Sequence, residues 1–147
     1  MPGSLKNTLE TILVVDDSRE VLEIVVQALE NANFHVLSAG NGPDALKLAA
    51  ETDGKIHLVL SDVDMPQMSG PDLGQLLKNT RPDMHVMLMS GAADGNLRVL
   101  NHGWAFIQTP FVPKRLVEMV TDMLHSPDRS QLGGQEFDSR VDTLGKS

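Results

Sequence analysis

Two stretches decide the fold: Thr11-Ile12-Leu13-Val14-Val15-Asp16-Asp17 and Ile56-His57-Leu58-Val59-Leu60-Ser61-Asp62. Each is dominated by β-branched and leucine side chains and stops at an acid. A strand with one wet face alternates apolar and polar residues. A run that stays apolar is buried on both faces, as in a parallel sheet covered by helices. The pattern returns in His85-Val86-Met87-Leu88-Met89, which stops at Ser90-Gly91. Shorter versions are Phe34-His35-Val36-Leu37-Ser38-Ala39 and Trp104-Ala105-Phe106-Ile107-Gln108, the last followed by Thr109-Pro110-Phe111.

Between these runs the apolar period lengthens to three and four, the mark of amphipathic helices. Val21, Leu22, Val25, Val26, Ala28 and Leu29 form one such stripe, with Ser18 or Asp17 placed to cap it. A second helix opens at Gly42-Pro43-Asp44, and a third runs from about Pro71 to Lys78 after the loop Met65-Pro66-Gln67-Met68-Ser69-Gly70. A weaker fourth spans about Asp94 to Leu100, and a fifth about Pro113 to His125. Five strands alternating with five helices predict an α/β fold. The expected architecture is a doubly wound five-stranded parallel sheet of flavodoxin-like order 2-1-3-4-5, with helices on both faces. The domain is expected over residues 10–125, with a leader over 1–9 and a polar, mobile tail over 126–147.

Composition narrows the function. The 147 residues include no cysteine, which removes disulfide scaffolds, thiol nucleophiles and thiolate metal sites. A net charge of −8 argues against direct nucleic-acid binding and against docking on an anionic membrane. No apolar run spans a bilayer and the first residues carry no signal core, so a cytoplasmic protein is expected. Sixteen of the twenty acids lie within residues 1–124, so the negative surplus belongs to the folded part. Two acid groups, Asp16-Asp17 and Asp62-Val63-Asp64, directly follow strands.

Ligands of open α/β sheets bind beyond the carboxyl ends of the strands, where the strand order reverses. In the expected order the first and third strands flank that point, bringing Asp16, Asp17 and Asp62 together. Like charges so placed call for a cation, and oxygen-only ligands in an incomplete shell suit Mg²⁺ or Mn²⁺. Ser90 adds a hydroxyl from the fourth strand. Hydroxyl, hard metal and free carboxylate together describe a place to form an acyl phosphate on an aspartate. Taken singly, each of these acids is most simply a helix cap or a solvated loop residue. Their coincidence at one sheet edge is what points to chemistry. The five histidines show no shared spacing and are read as structural or surface residues, and Trp104 as a packing residue.

Ile12-Leu13-Val14-Val15-Asp16-Asp17, Asp62-Val63-Asp64-Met65-Pro66-Gln67-Met68-Ser69-Gly70, Met89-Ser90-Gly91 and Pro110-Phe111 resemble the motifs of response-regulator receiver domains of two-component phosphorelays. The resemblance runs in order from about Glu10 to Leu124. It implies that Asp62 accepts a phosphoryl group from a phosphohistidine on a histidine kinase or phosphotransfer protein. It further implies that Asp16, Asp17, the Asp62 carboxylate and the Asp64 backbone carbonyl hold Mg²⁺. Ser90 would bond a phosphoryl oxygen, Phe106 would be the switch aromatic, and Thr109-Pro110 would be a cis peptide.

Two positions depart from the family. Thr109 stands where the family has a lysine whose contact to the phosphoryl group is worth about 1.5–3 kcal/mol. Lys114, five residues on, is badly placed to substitute. Phosphorylation of Asp62 is still expected, with weaker coupling to the switch. Phe106 lacks the hydroxyl of the usual switch aromatic and reads equally as a core residue, just as Asp64 reads equally as a solvated loop acid.

The resemblance also implies a downstream protein target, and a homodimer through the face made by the fourth helix, fifth strand and fifth helix. Two alternatives stay open: a carboxyl-terminal receiver of a hybrid histidine kinase, and a degenerate receiver that works as a phosphorylation-independent interaction module. An enzyme is not expected. Asp62-Val63-Asp64 mimics the Asp-x-Asp of aspartate-nucleophile phosphatases, but the late lysine those enzymes need is missing.

Overall fold

Residues 9–91 and 104–125 are described by the computed structural model. The predicted fourth helix, the tail over 126–147 and most of the predicted leader lie outside the described residues. The elements, in chain order, are β1 (Thr11–Val15), α1 (Arg19–Asn31), β2 (His35–Ala39), α2 (Gly42–Glu51), β3 (Leu58–Asp62), α3 (Gly70–Thr80), β4 (His85–Ser90), β5 (Ala105–Gln108) and α4 (Pro113–His125). The chain divides into two units, Met1–Val117 and Glu118–Ser147. The first holds the sheet and α1 to α3; the described part of the second is helical.

All five strands pair in parallel, in the order β2-β1-β3-β4-β5. This is the expected doubly wound sheet. β1 lies inside it between β2 and β3, and Ile12, Leu13, Val14 and Val15 are completely buried. Alternation along the strands sorts these side chains onto two faces. Leu13, Val15, Val59, Val63, Val86 and Leu88 share one cluster with Ala45 and Ala49 of α2 and Leu73 and Leu77 of α3. α1 packs on β1 and β2 through its buried Val25 and Leu29, which stand outside that cluster. Helices therefore cover both faces.

Local chemistry sets the element ends. Ser18 caps α1, its Oγ accepting from the Val21 amide at 3.3 Å. Asn41 caps α2 by accepting from the Asp44 amide at 2.8 Å, and Ser69 caps α3 by accepting from the Asp72 amide. α1 ends with Asn33 at φ 71°, while the Asn33 and Phe34 amides donate to the Glu30 and Leu29 carbonyls. That is a Schellman closure, with Phe34 buried beneath it. At this same end of the sheet, where the strands begin, His57 Nδ1 accepts from the Thr11 amide at 3.0 Å, and the His57 amide donates to the Thr11 carbonyl. The His57 carbonyl in turn accepts from the His85 amide, so one histidine aligns the starts of β1, β3 and β4. The Arg81 guanidinium gathers the Ala49, Thr52 and Gly54 carbonyls and closes the end of α2.

Candidate functional site

The carboxyl ends of β1 and β3 are neighbours in the sheet, so their terminal acids meet. Carboxylate oxygens of Asp16, Asp17 and Asp62 all lie within 4.8 Å of one another. Asp16 is 5% exposed, Asp62 is part-buried and Asp17 faces solvent. Backbone donors hold them. The Ser18 amide donates to Asp16 Oδ1 at 2.8 Å, and the Asp64 amide donates to the Asp62 carboxylate. A groove of about 680 Å³ runs from Asp16 and Asp17 along α1, past Leu22, Val26 and Ser38.

The electrostatics reflect this crowding. Burial, first, and the Asp16 charge, second, push the Asp62 carboxyl up from 3.8 to about 6, with smaller contributions from Asp17 and Asp64. The Asp64 amide opposes the shift. Asp16 is raised as well, by burial and by Asp17, against the bond from Ser18. Each charged neighbour that acts on Asp62 is itself an acid.

The chain leaves this edge through a tightly built turn. Gly70 opens α3 with its Cα against the Asp62 carbonyl, so close that a Cβ there would collide with the oxygen. The Gly70 amide donates to the Val63 carbonyl at 2.8 Å. Between them Gln67 adopts φ 72°, and the Met68 amide donates to the Pro66 carbonyl at 2.7 Å, a tight turn with positive φ at its centre. Met68 packs on Gly42, where a Cβ would come within 2.8 Å of its sulfur.

Ser90 ends β4 next to the acids, because Asp62 pairs with Met89. It is 4% exposed, and its carbonyl accepts from the Thr109 amide. Thr109 Oγ1 lies 2.9 Å from where a Cβ of Gly91 would be, which puts a second hydroxyl beside the end of β4. The Thr109–Pro110 bond is cis, as expected. Phe106 sits on β5, part-buried against the core. Trp104 is a packing residue: its ring fills the space that Gly74 leaves open beside Val86. Among the described residues the three aspartates are the only candidate metal group.

Reading by residue type missed Ser61. Its side chain is buried, and its Oγ donates to the Asp62 carbonyl at 2.9 Å. One signal was available: a hydroxyl in an otherwise aliphatic run, directly before the acid that ends it.

The donor set fits a hard divalent cation. It offers three carboxylates and no nitrogen or sulfur, it is open on the Asp17 side, and no cationic side chain acts on Asp62.

Known proteins agree with this geometry. The response regulator receiver domain matches residues 12–121. Sensor kinase CckA of Brucella abortus (strain 2308) is 36% identical over 121 residues, covering 80% of this chain and 13% of its own length. The DNA-binding transcriptional regulator NtrC of Azospirillum brasilense is 32% identical over 145 residues, covering 93% of this chain and 29% of its own. This chain thus spans less than a third of either relative. The crystal structure of the receiver domain from hybrid histidine kinase CckA superimposes with a TM-score of 0.68 at 32% identity, covering 78% of this chain and 99% of that one.

Proposed function

This chain belongs to the response regulator receiver domain family, and from that membership we propose that Asp62 accepts a phosphoryl group from a phosphohistidine on a histidine kinase or phosphotransfer protein. The observation that carries the reading is the meeting of Asp16, Asp17 and Asp62 within 4.8 Å at the strand ends. In the transfer, an Asp62 carboxylate oxygen forms a bond to phosphorus as the P–N bond of the donor breaks. The imidazole leaves with that electron pair and takes up a proton from water. Asp62 must be ionised to attack, and a carboxyl at about 6 is mostly ionised at neutral pH. A divalent cation held by Asp16, Asp17, Asp62 and the Asp64 backbone carbonyl would supply the positive charge that lets an anionic phosphoryl group approach these carboxylates.

The chain's own residues do the rest. Ser18 and Asp64 amides hold the carboxylates of Asp16 and Asp62, and the Ser90 and Thr109 hydroxyls stand at the ends of β4 and β5 to receive phosphoryl oxygens. Phe106 links that edge to the core and would carry the change of state to a protein target. Phosphotransfer here is stoichiometric acceptance rather than turnover, and it belongs to the cytoplasm. No helix among the described residues is long and apolar enough to cross a membrane.

The test is incubation with acetyl phosphate and Mg²⁺, read by intact mass. One phosphoryl group should be added, and none after chelation or in Asp62→Asn. A folded wild type that stays unlabelled would favour the second reading, an interaction module independent of phosphate. Thr109 in the lysine position is the observation behind that reading. Likeness to CckA supports a receiver whose parent is a hybrid kinase.

A further inference from the structure

We infer that Ser61 is a positioning residue for transfer to Asp62, acting by pinning the Asp62–Val63 peptide plane. This inference rests on the reading of Asp62 as the phosphoacceptor.

A hydroxyl in the core of a sheet is costly unless it is bonded. Ser61 is 1% exposed, in a strand otherwise made of Leu58, Val59 and Leu60 before its terminal acid. Its hydroxyl turns to the next residue and donates to the Asp62 carbonyl at 2.9 Å. The other end of the same peptide is also fixed, since the Val63 amide donates to the Met89 carbonyl at 2.9 Å. Gly70 lies against the Asp62 carbonyl oxygen from a third side, through a contact that no side chain would permit. The peptide leaving Asp62 is therefore held at its oxygen by Ser61, at its nitrogen by β4, and in its plane by the start of α3.

That plane sets the direction in which the chain leaves Asp62, and so the position of the amide that holds the carboxylate. Asp64, two residues on, returns its amide to the Asp62 side chain. Rotation of the Asp62–Val63 peptide about Asp62 ψ would swing that amide away and leave the carboxylate free to turn. The strand pairing of Asp62 with Met89 fixes the backbone before the peptide and, through the Val63 amide, its nitrogen end, while the oxygen end is left to Ser61 and Gly70. Of the three restraints on the plane, the Ser61 hydroxyl is the one that a single small substitution removes without adding bulk. A nucleophile held within a few tenths of an ångström reacts at rates that a loosened one loses, and small misplacements cost up to about 100-fold.

Wild type, Ser61→Ala, Ser61→Thr and a core control, Val59→Ala, are compared as the full chain. Two quantities are measured: the rate of labelling by acetyl phosphate at saturating Mg²⁺, and the hydrogen exchange of the Asp64 amide. The expected result for Ser61→Ala is labelling slower by about 10-fold at unchanged half-saturating donor concentration, with faster exchange at Asp64. Ser61→Thr, which keeps the hydroxyl, should restore both, and Val59→Ala should move neither. The inference is overturned if Ser61→Ala exchanges at Asp64 like wild type. It is equally overturned if Val59→Ala slows labelling as much, or if Ser61→Thr behaves like alanine while remaining folded. A wild type that takes no label refutes the phosphoacceptor reading instead, and the Asp64 exchange then still decides whether Ser61 pins the peptide.

Discussion

Replacing Asp62 by Asn should stabilise the cation-free protein, although it removes the residue on which the proposed function depends. The folded state holds the Asp62 carboxyl at about 6, against an ordinary 3.8. At about 1.4 kcal/mol per tenfold change, the ionised form costs the fold about 3 kcal/mol at neutral pH. Asp62 is only part-buried, and solvent screening trims this to about 1–2 kcal/mol. The sign is set by linkage. A carboxyl raised on folding contributes stability that is fully present below its unfolded value of 3.8 and is lost as pH rises through about 6. Asp62→Asn should therefore melt about 3–8 °C above wild type near pH 7.5 and close to it near pH 4.5. Thermal unfolding followed by circular dichroism, in chelator and then in Mg²⁺, reads both effects. Added Mg²⁺ should raise the wild type and narrow the gap, because the variant has lost one of the three carboxylates. A gap that is absent at neutral pH, or equally wide at both pH values, would show that burial and mutual repulsion do not raise the Asp62 carboxyl in the folded state.

The backbone and the remaining charged sites give further expectations. Gly70→Ala drives a Cβ into the Asp62 carbonyl and should cost about 2–3 kcal/mol in urea unfolding, since backbone cannot yield as a flexible side chain does. His57 titrates in the opposite sense to Asp62. Burial, and next Lys55, lower its value against the Glu10 charge, and an imidazolium could not accept from the Thr11 amide. Its contribution is full above 6.5 and is lost as pH falls below that value, so His57→Asn, which keeps an acceptor, should flatten the stability of an Asp62→Asn background between about pH 7 and 5. Asn33→Gly relieves φ 71° at the end of α1 and should add about 0.5–1 kcal/mol by the same unfolding assay. Thr109→Lys places a cation beside Ser90. It should bring the Asp62 carboxyl down toward 3.8 in an NMR titration and raise the Mg²⁺ needed for half-saturation.

The sheet was legible because burial on both faces leaves a direct trace. Runs such as Ile12 to Val15 admit no wet face, and each strand ends within two residues of where its apolar run stops. The acids were legible for a related reason: the strand order alone puts the residues after Val15 and Ser61 side by side. The features that stayed hidden depend on backbone conformation rather than residue type. The start of β3 at Leu58, two residues past the first apolar one, reflects His57 spending its Nδ1 on Thr11, a bond across 46 residues that periodicity does not encode. The extension of α3 back to Gly70 reflects the Ser69 cap and the contact with the Asp62 carbonyl. Ser61 was passed over because a serine in a strand is ordinary, and only the direction of its hydroxyl gives it a role.

The way these acids are held bears on what they can do. A cluster of carboxylates can be kept in place by a lysine or arginine, or by neutral amide dipoles. Here the described restraints are of the second kind: the Ser18 amide on Asp16 and the Asp64 amide on Asp62. Hydrogen bonds from amides to a charged oxygen contribute about 1.5–3 kcal/mol each, enough to orient a carboxylate but too little to neutralise it. A resident cation would have to be displaced, or would repel an incoming Mg²⁺, whereas an amide on one lone pair leaves the rest of the oxygen free. With Thr109 neutral as well, the site keeps its full negative charge until a ligand brings the compensation. The burial and repulsion that raise Asp62 are then offset in the same event that would prepare the site for transfer. Stability of the cation-free fold and affinity for the cation should accordingly move in opposite directions across Asp62→Asn and Thr109→Lys, one neutralising an acid and the other adding a base.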